Sequence, residues 1–425
     1  MVKYFAVENF KSIKNKMVVE FDLNIENFQT DTQSWSAHPV IAFYGSNASG
    51  KTTILQALTF VWWFMQKSFL AAEPSSNIPR EPFILSKDKN STFHLIFELD
   101  GIEYNYFLEC DDQKVIKEDL YVGDNEEATF ERVENDLLQA AIHLDNVNDL
   151  RQNCSIISYA AQFKSQAVAQ KLQQFTFTSN CTKKGYTSRD FNPTIWGDLK
   201  NKYGEQAKAM LQLADIGIAD FGRKAGESKD YSSLEELIND LEPTDIPNIE
   251  EVKQKIQKLL TFSNQTKIRK EPSPFVLHTV EGQEIELDPD DQQSEGTKRF
   301  ASLILKVLAV LNEGGVLILD EFETNLHQDL AAYVLGLFNN YHRNTKNGQL
   351  IISSHNSHFM DFLNPEQVWF ASKNNGITKL YSAANVTGLE NVKERLNSYY
   401  KIGRFGAKPP ALPTEQVYFP KNPTL

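Results

Sequence analysis

The octapeptide Gly45-Ser46-Asn47-Ala48-Ser49-Gly50-Lys51-Thr52 constrains this chain more than any other segment. It reads GxxxxGK[ST] and stands between PVIAFYG, a run with buried-strand character, and TTILQALTFVWWFMQ, a strongly apolar helical run. A strand feeding a helix through such a loop commits the chain to an α/β architecture. The loop must curl so that backbone N–H groups converge on an anion, and Gly45 and Gly50 tolerate the dihedrals this needs. The helix that follows adds its positive N-terminal end. The expected ligand is ATP with Mg²⁺: Lys51 reaches the β- and γ-phosphates, the Thr52 hydroxyl holds the metal, and Ser46, Asn47, Ala48, Ser49 and Thr53 line the site. A Gly/Ser turn with an exposed lysine is the plainer reading, and the flanking strand and helix disfavour it.

A second element belongs to the same chemistry. Val316-Leu-Ile-Leu-Asp320-Glu321 is a hydrophobic strand ending in two acids, which places Asp320 beside Mg²⁺ and Glu321 where it can act as general base on water. Acid pairs after strands also start helices, so the assignment draws its force from the phosphate loop upstream. Between the two lies Ser294-Glu295-Gly296-Thr297, ahead of the apolar run FASLILKVLAVL, where Ser294 and Gly296 by themselves read as a helix cap. His355 closes the strand-like LIISSH, where a lone histidine is more often structural. A nuclease reading of His355-Asn356-Ser357-His358 lacks the metal ligands that chemistry needs.

The 425 residues, 41% hydrophobic, suffice for one large domain or two modest ones. A net charge of −13 argues against a surface basic throughout, so any nucleic acid must meet a local patch. Three widely spaced cysteines (Cys110, Cys154, Cys181) show no metal or disulfide pattern, the N-terminus lacks a signal-peptide core, and the longest apolar run, Leu55 to Met65, is too short to span a bilayer. A cytoplasmic protein without membrane partners is expected.

Along the chain, KYFAVENF and VVEFDL read as an edge hairpin, and TFHLIFEL, EYNYFLEC and EDLYV as an antiparallel meander. From about 130 the pattern turns helical, with SLEELINDL and IEEVKQKIQKLL read as a hairpin broken at Pro243 and Pro247. PFVLHTVEGQEIEL returns to strands; GGVLILDE and GQLIISSH are buried strands, NLHQDLAAYVLGLFNNYH a helix, QVWFASK and ITKLYSA strands. The predicted organisation is a head in two halves, residues 1–130 and 266–425, interrupted by a helical insertion over 131–265. The fold class is α/β, with a mostly parallel sheet carrying the phosphate loop and an antiparallel meander beside it.

VENFKSI, GSNASGKT, SEGT, LILDE and SSH, in that order, resemble the ABC-class ATPases related to SMC, RecF and the overcoming-lysogenization-defect proteins. The resemblance covers both ends of the chain but not the region from about 130 to 265. It implies that Lys11 and Ser12 contact base or phosphate, that SEGT is the signature motif acting on a nucleotide held by another copy, and that His355 is the switch histidine. It therefore implies at least a homodimer. Asn325-Leu326-His327 stands where such proteins usually carry a Ser-Leu-Asp type loop, with His327 replacing the acid; Gln152 and Gln162 are the candidates for the Q-loop glutamine. The tail segment Gly403-Arg404-Phe405-Gly406-Ala407, with Pro409, is similar to that of stand-alone bacterial ATPases of anti-phage systems, such as the AriA family of PARIS and the PtuA family of Septu. That similarity implies a separately encoded nuclease effector, of Toprim or His-Asn-His type, and a phage trigger protein. Residues 356–425 are expected to be too few for a fused Toprim domain. Two other readings stay open: a DNA-repair or chromosome-organising ATPase of RecF or SMC type, and a nucleotide-gated scaffold with negligible turnover.

Overall fold

The computed structural model describes residues 1–22, 35–125, 127–134, 136–140, 150–163, 167–181, 195–214, 217–223, 229–231, 268–270, 274–287, 293–324, 326–389 and 391–406. They form two compact units, Met1–Asp190 with Lys306–Leu425, and Phe191–Leu305.

The first unit holds two sheets. One is antiparallel, with strand order β2-β1-β4-β5-β6-β7-β8, built from β1 (Val2–Glu8), β2 (Met17–Glu20), β4 (Ser91–Leu99), β5 (Ile102–Cys110), β6 (Val115–Val122), β7 (Phe130–Val133) and β8 (Asp136–Ala140). Burial alternates along β4, as a sheet with one covered face requires. The other sheet runs β18-β17-β3-β16-β15-β9, from β3 (Val40–Tyr44), β9 (Phe177–Ser179), β15 (Gly315–Leu319), β16 (Gly348–Ser353), β17 (Val368–Asn374) and β18 (Ile377–Ser382). All of its pairs are parallel except β17 with β18. Every residue of β3, β15 and β16 is buried, which explains their continuous apolar runs.

Helix α1 (Lys51–Ala71) joins the two sheets in one core. The fully buried Trp62 packs on Phe97 of β4 at 4.8 Å and on Phe177 of β9 at 5.2 Å between ring centroids. A buried amide crosses the same gap: Gln349 Nε2 donates to the carbonyls of Val2 and His38 at 3.0 Å each, and its Oε1 accepts from Val2 N–H at 2.7 Å. Around this core stand α2 (Ile156–Ala160), α3 (Ala167–Gln174), α6 (Gln328–Asn339) and α7 (Val392–Lys401). The second unit contains α4 (Ile195–Ala214), the pair β11 (Lys229–Tyr231) with β12 (Ile268–Lys270), and a sheet β10-β13-β14 of β10 (Ile218–Arg223), β13 (Pro274–Val280) and β14 (Gln283–Leu287). Helix α5 (Glu295–Glu313) begins there and ends in the first unit.

The structure departs from the sequence reading after residue 130. Strands β7 and β8 prolong the meander instead of starting helices, and β9 enters the parallel sheet beside β15. A strand of three to five residues is too short to impose a period, so its partners decide its state. SLEELINDL, IEEVKQKIQKLL, Pro243 and Pro247 lie outside the described residues. Among those described, no helix is long and apolar enough to cross a membrane. All three cysteines are buried free thiols, and burial pushes Cys110 up to about 12 and Cys154 up to about 11, which removes both as thiolate nucleophiles.

The meander is locked to α2 by a buried ion pair. Glu118 accepts from Tyr106 Oη at 2.8 Å, Ser155 Oγ at 2.5 Å and Ile156 N–H at 3.0 Å, with Arg132 Nη1 at 3.8 Å. Arg132 itself donates to the carbonyls of Glu134, Cys154 and Arg151. Burial pushes the Glu118 carboxyl up, against the opposing pull of Arg132 and these donors. Removing one partner strands the other in the interior, so Arg132→Ala is expected to cost about 3–5 kcal/mol of unfolding free energy, measured as a shift of the urea midpoint.

Candidate active site

The loop after β3 adopts the conformation its glycines permit. Gly45, Ala48 and Gly50 have φ of 150°, 61° and 109°, so the chain repeatedly enters the left-handed region. Close packing also demands the glycines: a Cβ at Gly45 would lie 2.2 Å from the Ala371 carbonyl oxygen, and one at Gly50 would lie 2.2 Å from Thr378 Oγ1. Lys51 turns back over the loop and donates to the carbonyls of Gly45 at 2.9 Å and Ser46 at 3.1 Å. Burial pulls its ammonium below the usual lysine range, while Asp320, Glu323 and Glu321 hold it up.

Across the cleft, β15 delivers Asp320 and Glu321. Asp320 N–H donates to Asn180 Oδ1 at 2.7 Å, Asn180 Nδ2 donates to the Asp320 carbonyl at 3.1 Å, and the Ser353 hydroxyl donates to Asp320 Oδ1. Glu321 takes a left-handed φ of 49°, an uncommon state for a residue with a Cβ. That turn is held by Glu321 N–H on Ser353 Oγ at 2.9 Å and Phe322 N–H on the Ser353 carbonyl at 3.0 Å. Glu323 Oε1 then accepts the N–H of His355 at 2.6 Å, while its Oε2 is buried with no hydrogen-bond partner among the described residues. The loop bearing the two acids and the loop bearing His355 are thus laced together.

These residues enclose a cleft of about 330 Å³ lined by Ser12, Asn47 to Thr53, Asp320, Glu321, Ser353, His355 and Lys373. The structure therefore brings Lys51, Thr52, Thr53, Asp320, Glu321 and His355 to one place, from segments about 300 residues apart in the chain. Ser12 belongs to it through Ser12 Oγ, within 2.8 Å of Thr378 Oγ1 and 3.3 Å of Thr53 Oγ1. Lys11 does not line it: its ammonium bonds Gln56 Oε1 and pairs with Glu81 at 3.3 Å. His358 pairs with Asp361 instead. His327 caps α6, accepting from Asp329 N–H at 3.4 Å, while Asn325 lies outside the described residues. Gln152 and Gln162 both stand elsewhere, Gln152 accepting through its carbonyl from Val115 N–H and Gln162 donating to the Ser158 carbonyl. Ser294 is exposed at the start of α5, where its Oγ accepts from Thr297 N–H at 3.1 Å, and Gly296 follows in the first turn. Phe405 of the tail stacks on Phe370 at 4.5 Å, whereas Ala407 and Pro409 lie outside the described residues.

Sequence reasoning missed Asn180, Glu323, Ser353, Lys373 and Thr378. Ser353 belongs to the SSH segment without having been given a role, and the other four stand within three residues of a strand end or a recognised motif, with nothing in their local sequence to announce a role.

The residues fit an Mg–nucleotide. Ser49, which lines the cleft, has a buried Oγ without a hydrogen-bond partner among the described residues. Lys51 spends its donors on loop carbonyls that phosphate oxygens can replace, and Thr52 is exposed to the cleft opposite Asp320. Among the described residues no group of three or more His, Cys, Asp or Glu side chains could hold a metal alone, so Thr52 and Asp320 would share it with phosphate oxygens.

A family model described as an AAA domain matches residues 6–264. Another, described as "AAA domain, putative AbiEii toxin, Type IV TA system", matches residues 186–361. Among solved structures, the SMC head domain from Thermotoga maritima is 15% identical and covers 90% of this chain and 98% of its own, with a TM-score of 0.41. The SmcHead bound to the C-winged helix domain of ScpA is 13% identical, covering 90% and 97%, with a TM-score of 0.42. The recombination mediator protein RecF with ATP is 13% identical, covering 90% and 99%, with a TM-score of 0.40. The curated proteins contain no significant match.

Proposed function

The chain belongs to the AAA domain family, and on that premise we propose that it is the ATP-binding and ATP-hydrolysing subunit of a bacterial anti-phage defence complex. In this reading it senses infection and holds, then releases or activates, a separate nuclease. The observation that carries the hydrolytic part is the convergence of the Lys51 loop, the Asp320–Glu321 pair and His355 on one cleft. Lys51 leaves the loop carbonyls to bind the β- and γ-phosphates. Thr52 and Asp320 would hold Mg²⁺, which would supply positive charge to offset that of the phosphates. Glu321 takes the proton of the attacking water, and His355 donates a hydrogen bond to the γ-phosphate.

Ser294 and Gly296, at the open start of α5, suit a γ-phosphate held by a second copy. Nucleotide binding then drives at least a homodimer. The defence role is supported by the sequence of the tail segment Gly403–Ala407 with Pro409 and by the family description "putative AbiEii toxin, Type IV TA system". It is tested by co-expression with the product of the neighbouring gene, followed by size-exclusion chromatography with and without ATP. Co-elution with the nuclease and ATP-dependent growth of the complex are expected. Turnover stimulated many-fold by duplex DNA at low salt, with no nuclease bound, would instead assign the chain to DNA repair or chromosome organisation.

A further inference from the structure

Among the cleft residues assigned above, Lys51 is the one lysine. In the cleft Lys51 faces both Asp320 and Glu321, so the acids outnumber it. Lys373 restores the balance. It lies on the cleft wall, its side chain is exposed, and its ammonium has no ion-pair partner among the described residues.

Its position follows from the sheet. β17 pairs in parallel with β3, Phe370 standing beside the last β3 residue, Tyr44, so Lys373, still within β17, lies beyond the end of β3, where the phosphate loop begins. Opposite Lys373 in the β17–β18 ladder is Thr378. Thr378 Oγ1 donates to the Ser49 carbonyl at 3.1 Å and meets Ser12 Oγ at 2.8 Å, while Thr378 N–H donates to the Ser12 carbonyl at 2.8 Å. The hairpin is therefore fastened to the loop, and the root of Lys373 is fixed relative to it. In the sheet order β17-β3-β16-β15, the acids and His355 reach the loop from one side of β3 and Lys373 from the other.

We propose that Lys373 is a nucleotide-binding residue that takes the α- and β-phosphates from the side opposite the reacting γ-phosphate. This rests on the nucleotide reading of the cleft and adds a residue to it. An ammonium there contributes to affinity for any nucleoside di- or triphosphate and nothing to the cleavage step.

The test is calorimetric titration of the full chain with ADP, and with ATP in the Glu321→Gln background, alongside steady-state turnover. Lys373→Ala is expected to weaken both nucleotides about tenfold while turnover at saturating ATP stays within about twofold, and Lys373→Arg is expected to restore affinity. Unchanged affinity for both nucleotides in Lys373→Ala overturns the assignment, and so does a loss of turnover with ADP affinity intact. A wild-type chain that binds neither nucleotide overturns the reading of the cleft itself, and this inference with it.

Discussion

Glu321→Gln is expected to slow ATP hydrolysis by about 10³-fold while nucleotide affinity stays equal or rises. The amide keeps the size of the carboxylate and can still accept from Thr324 Oγ1, which stands 3.4 Å from Glu321 Oε2. The backbone turn is held by Ser353 and does not depend on the side chain's charge. What the variant loses is the proton acceptor. It also removes one of the acids beside Lys51, so phosphates enter a less negative cleft. Phosphate release measures the first effect and the fraction of purified protein carrying ATP the second. Turnover within tenfold of wild type would move the base elsewhere, and loss of binding would mean that the side chain shapes the loop instead of acting on water.

The parts legible in the sequence are those whose chemistry is written in consecutive residues. Gly45 to Thr52 carries its own backbone requirement, and the buried runs of β3, β15 and β16 leave few choices but covered parallel strands. The N-terminal hairpin, the meander through β6 and the β13–β14 turn at Glu281-Gly282 are equally local, each set by alternation and a turn residue. Asn180 was not legible, because its function depends on a three-residue strand choosing β15 as its partner. Thr378 and Lys373 depend on a hairpin folding back onto β3, and Glu323 on a loop that must first meet His355. The assumption of helices from 130 onward failed at β7 and β8 for the same reason: short strands take their identity from neighbours already in the sheet. Lys11 shows the converse limit. It neighbours Ser12 in the sequence, yet its ammonium is taken by Gln56 and Glu81.

Lys51→Ala is expected to act in the opposite direction from Glu321→Gln, weakening ATP binding by about 10²–10³-fold, since each charge-assisted hydrogen bond to phosphate is worth about 1.5–3 kcal/mol. Its effect on the nucleotide-free fold should be small. The variant gives up two hydrogen bonds to loop carbonyls, but it also removes an ammonium that burial disfavours in its charged form. The two losses and the one gain are of similar size, so the melting temperature without nucleotide should stay close to that of wild type. The discriminating quantity is the rise in melting temperature on adding Mg-ATP, because a ligand that binds only the folded chain stabilises it in proportion to the logarithm of its concentration over Kd. Wild type and Glu321→Gln should both show that rise, and Lys51→Ala should lose nearly all of it at the same ATP concentration. If Lys51→Ala kept the full rise, the stabilising nucleotide would sit outside this cleft, and the convergence of Lys51, Asp320, Glu321 and His355 would have to serve something other than ATP.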